Sequence, residues 1–370
     1  METVKLGLLI KKTKVARCGE HSYPVLSITK QDGIIMQSEK FKKRIASADT
    51  SDYKIIPRGK LVQGIHIDEG NFGIQDIVDN GIVSPAYGVW DVNDGLVIPK
   101  YLEMVLRSPK SIEFYRSKLT GTVNRRGHMS DADFLSMDIP LPDRDTQSKI
   151  LKTMKQTTSV LYSRQQQLAK LDELIKARFV EMFGDKNYHY ESLINLILDG
   201  TSLSYGIVQP GNDGTGDMGV LRPVDIVDGK LTMSSIKYID RSIGEGFKKT
   251  ELDGDELLIT VRGTTGITAL TDGRFAGMNV TRGIAVIRYN RKKINPLYLS
   301  AYFNTDESQR YIQEHTRGAT LQQINLSDLR IQRIMLPPLS LQNQFAAFVA
   351  EVDKSKVEVQ KALDQTQLLF

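Results

Sequence analysis

Apolar positions along the chain follow two rhythms, and the pair of rhythms occurs twice. Short aliphatic or β-branched runs broken by Gly, Asp and Asn lie at Tyr23–Ile28, Lys54–Ile67 and Gly81–Trp90, and again at Gly219–Ile226, Glu256–Thr260 and Arg282–Tyr289. Runs of this kind predict short strands joined by tight turns. Each set is followed by a stretch headed by a proline, Pro99 or Pro296, which predicts a helix with proline in its first turn. A glycine-led polar loop, a strand ending in a proline pair and a long charged segment come next. From Thr146 to Phe183 there is neither Gly nor Pro, and Met154, Leu161, Leu168, Ile175 and Met182 recur every seven residues. That spacing keeps one stripe turned toward a partner helix. The second stripe is mixed, with Leu171 and Phe179 but also Arg164 and Arg178. Beyond Leu341, Phe345, Val352 and Val359 keep the same step, with Phe348 and Val349 beside them. The two segments predict an imperfect coiled coil; one amphipathic helix lying on each domain's own core is the alternative.

The two halves resemble each other in detail. IPKYL at Ile98–Leu102 is echoed by NPLYL at Asn295–Leu299, with Pro99 and Pro296, and Tyr101 and Tyr298, 197 residues apart. The same step pairs Gly121 with Gly318, Ser130 and Asp131 with Ser327 and Asp328, Pro140 with Pro337, and Gln147 with Gln344. Upstream, Gly59 corresponds to Gly254 at a step of 195. Two copies of one module follow, in line with a length of 370 residues, more than one hydrophobic core usually organises. The organisation read from the chain is a first module at 1–142, a central helix at 143–184, a second module at 185–340 and a distal helix at 341–370.

Composition narrows the class. Hydrophobic residues at 40% and charged residues at 25% belong to a globular protein. No apolar run approaches a bilayer span, and Leu6–Ile10 is too short for a signal peptide, so a cytoplasmic protein is expected. The single cysteine, Cys18, permits no intrachain disulfide and no cysteine-based zinc site. Net charge is +5 overall, divided as +3 over 1–142, +3 over 143–184, zero over 185–340 and −1 over 341–370. No segment is basic enough to hold DNA through phosphates alone, so any affinity for it must come from local patches, base contacts and a partner.

Three stretches carry a resemblance to a known family: IPLPDRDTQSKI at Ile139–Ile150, LAKLDELIKARFVEMFGD at Leu168–Asp185, and LPPLSLQNQFAAFVAEVDKSKVEVQKALDQ at Leu336–Gln365. They resemble the helix starts and the central-helix end of type I restriction-modification specificity subunits, over nearly the whole chain. The resemblance implies an α+β fold: two tandem target recognition domains, each a mixed β-sheet with small helices, separated by two long helices packed as an antiparallel coiled coil. It implies a non-catalytic reader of a split double-stranded DNA target. Its partners would be methyltransferase subunits, two of them, and restriction or translocase subunits. S-adenosylmethionine, ATP and Mg would sit on those partners, with no cofactor on this chain and no membrane. Against the family pattern, the distal segment is the shorter of the two and its helix looks shortened by a turn or two.

Two rival classes are carried forward, a DNA adenine methyltransferase and a purely protein-binding repeat scaffold. GTGD at Gly214–Asp217 faintly resembles a cofactor loop and NPLY at Asn295–Tyr298 an adenine-gripping tetrapeptide. The first follows the polar run Pro210–Gly214 where a buried strand is needed, and the second is the repeat partner of a helix start. No phosphate-binding loop is present, and His21, His66, His128, His189 and His315 have no metal spacing. The loops GTVNRRG at Gly121–Gly127 and GATLQQIN at Gly318–Asn325 share a place in the repeat and differ in chemistry, as two readers of different half-sites would. Candidate DNA contacts are Lys42, Lys43, Arg44, Arg58, Lys60, Asn124, Arg125 and Arg126 in the first module. In the second they are Arg262, Thr264, Thr265, Asn279, Arg282, Gln322 and Gln323. Candidate helix-pairing residues are Met154, Leu161, Leu168, Ile175, Phe345, Val352 and Val359.

Overall fold

The computed structural model describes residues 2–40, 49–119, 129–184, 186–211, 216–319 and 321–368. The chain divides into two units, Met1–Val160 and Leu161–Phe370.

The first unit is built on a four-stranded antiparallel sheet with spatial order Ile10–Lys12, Gly88–Val92, Leu61–Gln63, Phe72–Ile74. Trp90 is its central side chain: the ring is buried 5.3 Å from that of Phe134, and its N–H is satisfied by Gln63 Oε1 at 2.9 Å. Helices Pro99–Leu106 and Pro109–Lys118 cover the sheet through Tyr101, Leu102, Leu106 and Tyr115. Ser108 caps the second of them by accepting from Ser111 N.

The second unit repeats this plan, with spatial order Ser204–Tyr205, Ile284–Ile287, Leu257–Thr260, Thr268–Leu270. Its two central strands are buried throughout and, Thr260 apart, apolar, because both faces are covered. Leu257, Ile259, Ala285 and Ile287 face the larger core, while Leu258, Ile284 and Val286 face a smaller one. Period-two alternation thus divides one strand between two cores. Helices Pro296–Phe303 and Asp306–His315 follow, as Pro99–Leu106 and Pro109–Lys118 do in the first unit. A further sheet, Lys237–Ile239, Met218–Leu221, Asn279–Val280, pairs its last two strands in parallel.

The structure corrects the register of the repeat. Tyr101 and Tyr298 are equivalent, each phenol donating to a strand carbonyl, but the carbonyls are those of Pro140 at 3.0 Å and Met335 at 2.9 Å. Ser130 and Asn325 occupy the same N-cap. Gln147 and Gln342 are both fully buried and make the same two bonds. Gln147 Oε1 accepts from Ile98 N and its Nε2 donates to Pro142 O, each at 2.8 Å; Gln342 does the same with Asn295 N and Pro337 O, again at 2.8 Å. The step is therefore 197 through the paired helices and 195 beyond them, and Gln147 matches Gln342, not Gln344. The connection from the helix end at Leu119 or Thr316 to the buried Met129 or Ile324 is two residues shorter in the second copy. Gly121 lies outside the described residues; Gly59 and Gly254 share a left-handed φ, at 89° and 90°.

The central helix, Arg144–Phe183, contributes residues 144–160 to the first unit and 161–183 to the second. In the second unit it packs antiparallel to the distal helix, Leu339–Leu368. Phe179 and Phe183 meet Phe345 with ring centres 5.4 and 5.8 Å apart, the Arg178 guanidinium lies 5.6 Å from the Phe348 ring, and Lys356 Nζ is 2.6 Å from Asp172 Oδ1. Leu161, Arg164, Leu168, Leu171, Ile175 and Arg178 are half-buried, and the positions between them are exposed. On the distal helix 345, 349, 352, 356, 359, 363 and 366 are covered in a four-three alternation, with 346, 348, 350, 353 and 362 covered beside them. Met154 is half-buried in the first unit. Phe179, Phe183, Phe345, Tyr298 and Tyr302 form one aromatic cluster. Burial first, then neighbouring Tyr190 and Glu307, pushes the Tyr298 and Tyr302 phenols up, so both remain donors to strand carbonyls. No described helix is long and apolar enough to cross a membrane.

The corrected register has a measurable consequence. Gln342→Ala strands a buried amide N–H and a proline carbonyl, and is expected to lower unfolding stability by roughly 2–4 kcal/mol. Gln344 is exposed, so Gln344→Ala is expected to stay within about 0.5 kcal/mol of the parent. Urea unfolding of the two variants checks this, and a larger loss at Gln344 would restore the uniform step.

Candidate nucleic-acid interface

In the second unit the sheet ends in a set of closely joined turns. Strand Leu257–Thr260 runs on to Val261, whose N–H donates to Gly283 O at 2.8 Å. Arg262 then pairs antiparallel with Gln323, Gly263 N donates to Gln322 O at 2.8 Å, and Ile324 N to Val261 O at 3.0 Å. On the other side Arg282 N donates to Ile207 O at 3.0 Å and Thr281 N to Leu221 O at 2.8 Å. A Cβ on Gly283 would stand 2.7 Å from the Pro223 ring, so only glycine lets residues 222–224 close against 281–283. Backbone at 207–208, 222–224, 262–265, 281–283 and 322–323 is thereby gathered along one edge.

This edge collects most of the second-module residues singled out from the sequence. Arg282, Thr264 and Gln322 are exposed; Arg262, Thr265 and Gln323 are half-buried. Thr265 is tied down by a 3.0 Å hydroxyl contact with Thr316. Arg262 and Arg282 meet no carboxylate among the described residues, whereas Arg222, Arg288 and Arg291 are paired with Asp225, Glu256 and Asp255. Two guanidinium groups without a counter-charge beside an exposed amide make a donor-rich surface for an anionic or base-edge ligand.

Asn279 does not belong to it. Its side chain is fully buried, accepting from Thr250 Oγ1 and Val280 N at 2.8 Å and donating to Phe247 O at 3.1 Å. It closes a strand end, and its amide cannot reach a ligand without breaking those bonds. In the first unit Arg58 is held by Asp79 at 3.4 Å and by the carbonyls of Ile77 and Asp76, and Lys60 is paired with Asp91. Lys42, Lys43, Arg44, Asn124, Arg125 and Arg126 lie outside the described residues. Val208 and Val224, passed over in the sequence because valines in β-rich stretches are usually interior, stand 47% and 68% exposed at the second-unit edge.

Residues 215–366 match the family model described as the type I restriction modification DNA specificity domain. The second half of the chain thus carries a domain of the type I restriction-modification specificity family. The matched span includes edge residues 222–224, 262–265, 281–283 and 322–323. Among curated proteins it is similar to the type I restriction enzyme EcoBI specificity subunit of Escherichia coli, 25% identical over 175 residues, which is 46% of this chain and 37% of that subunit. The chain thus aligns with little more than a third of that relative's length. It is also similar to a putative type I restriction enzyme MjaX specificity subunit of Methanocaldococcus jannaschii, 22% identical across 98% of this chain and 88% of the relative. Among solved structures, a chain from a study of assembly and conformational transition of a type I R-M system shares the fold. Its TM-score is 0.63 at 16% identity, covering 99% of this chain and 93% of that one.

The division between structural and exposed polar residues is testable without DNA. Asn279→Ala is expected to cost about 2–3 kcal/mol of stability because it removes the interior hydrogen bonds to Thr250 Oγ1, Val280 N and Phe247 O. Arg282→Ala is expected to change it by less than about 0.5 kcal/mol. Thermal melts of the two variants check the order.

Proposed function

We propose that this chain is the non-catalytic DNA-reading subunit of a type I restriction-modification complex, each module reading one half of a split double-stranded target. One observation carries the reading: Arg262 and Arg282, which meet no carboxylate among the described residues, share an edge with Gln322 and Thr264 inside the stretch that matches the specificity-domain model. Arginine suits the O6 and N7 acceptors of guanine, and glutamine the N6 and N7 edge of adenine, in the major groove. In the first module, Lys42, Lys43, Arg44, Asn124, Arg125 and Arg126 take the corresponding role by their sequence chemistry. Arg58 and Lys60 serve at most as phosphate contacts, since both must first exchange an internal partner.

The methyltransferase subunits, two by this reading, hold the paired helices, and restriction or translocase subunits join through them. S-adenosylmethionine, ATP and Mg belong to those partners, and the assembly works in the cytoplasm. The methyltransferase alternative loses its best motif: Asn295 caps a helix by accepting from Leu297 N at 3.0 Å, and Tyr298 is fully buried with its phenol bonded to Met335 O. Neither is available to grip a flipped base.

Reconstitution tests the proposal. Labelled methyl transfer from S-adenosylmethionine to DNA is expected only when this chain and its methyltransferase subunits are both present. A micromolar calorimetric isotherm for S-adenosylmethionine on the chain alone would sink the non-catalytic reading. The double variant Arg262→Ala and Arg282→Ala is expected to lose roughly 1–3 kcal/mol per bidentate base contact and to flatten the salt dependence of binding. Discrimination should fail at one half-site and persist at the other.

A further inference from the structure

Val224 has a setting unlike that of an ordinary surface valine. It is 68% exposed, and single exposed aliphatics mean nothing by themselves. Here, though, the backbone beneath it is fixed from several sides. Residues Pro223–Asp225 form one 3-10 turn. Fully buried Asp225 anchors that turn, its Oδ2 accepting from Arg222 N at 2.7 Å and its Oδ1 from Ser235 Oγ at 2.6 Å. Thr232 N donates to Asp225 O at 3.0 Å. The Pro223 ring is seated on Gly283, and Arg262 O lies 3.8 Å from the same point. An exposed β-branched side chain with few rotamers thus stands on backbone packed against the segments of Arg262 and Arg282, which meet no carboxylate among the described residues.

We propose that Val224 is a specificity-determining residue that presents its methyl groups to the C5-methyl of a thymine. The half-site read by the second module then contains an A·T pair next to the bases reached by the two arginines. This rests on the DNA-reading assignment above. Among the four unmodified DNA bases thymine alone carries a methyl group in the major groove, and apolar side chains recognise it by contact. A protein partner covering Val224 would have to bring carboxylates to the two guanidinium groups. Duplex DNA answers both demands together, with phosphates and guanine acceptors for the cations and a methyl for the valine. Burying one methyl against Val224 is worth about a fourfold gain in affinity, taking ~0.8 kcal/mol per buried methylene-sized group.

The test uses the chain assembled with its methyltransferase subunits and duplexes carrying its target, each thymine of the second-module half-site replaced in turn by deoxyuridine, which lacks only the methyl. One replacement is expected to weaken the parent complex about fourfold, and the Val224→Ala complex is expected to bind that pair of duplexes alike. The proposal is overturned if the half-site holds no A·T pair, if no replacement weakens binding, or if Val224→Ala keeps the full sensitivity. A complex with no preference for the unmodified target over random duplex would overturn the DNA-reading assignment and this proposal with it.

Discussion

Each long helix starts by burying a glutamine, and both modules are organised around that act. Pro142 or Pro337 ahead of the long helix presents a carbonyl outside the helix ladder, and the module helix Pro99–Leu106 or Pro296–Phe303 opens with an amide N–H that has no intrahelical acceptor. The primary amide of Gln147 or Gln342 has both an acceptor and a donor, and it closes both at 2.8 Å. A leucine of similar size would fill the volume and leave two buried polar groups unpaired. The first turn of each helix is thereby fixed to the start of Pro99–Leu106 or Pro296–Phe303, and through it to the sheet. In the second unit the aromatic cluster of Phe179, Phe183, Tyr298 and Phe345 extends this bond into a hydrophobic seam.

The edge that gathers Arg262, Arg282 and Gln322 depends on that rigid base while being electrostatically different from it. Elsewhere in the unit arginines are structural: Arg222 braces Asp225, Arg288 reaches Glu256, and Arg291 holds Asp255 beside Tyr289. Two arginines left without such partners, in a segment of zero net charge, concentrate the positive potential locally. A DNA reader of this design would gain little from nonspecific attraction and would depend on base contacts for discrimination.

Much of this was legible in the chain. The seven-residue stripe of Met154, Leu161, Leu168 and Ile175 needs only sequence periodicity, and those positions are half-buried, as are Arg164, Leu171 and Arg178 of the mixed stripe. Pro99 and Tyr101 marked the repeat because a first-turn proline and a buried tyrosine are demanded by the same local geometry in both copies. The register beyond them was not legible. The run LPPLSLQNQ holds two prolines side by side and glutamines at both 342 and 344, so a slip of two residues still falls on a matching letter, and only burial tells Gln342 from Gln344. Asn279 misled for a related reason: a polar letter next to a strand reads as surface until the Thr250 hydroxyl and Phe247 carbonyl are known to surround it. Val224 was hidden in the opposite sense, an apolar letter held outward by a turn whose buried anchor, Asp225, lies one residue on.

Methylome sequencing of cells that express this chain with the methyltransferase subunits proposed as its partners tests the central claim most directly. The account predicts modification at two short defined sequences separated by a gap of constant length and unconstrained bases, one half-sequence assigned to each module. A single uninterrupted motif, or methylation with no sequence preference, would contradict it.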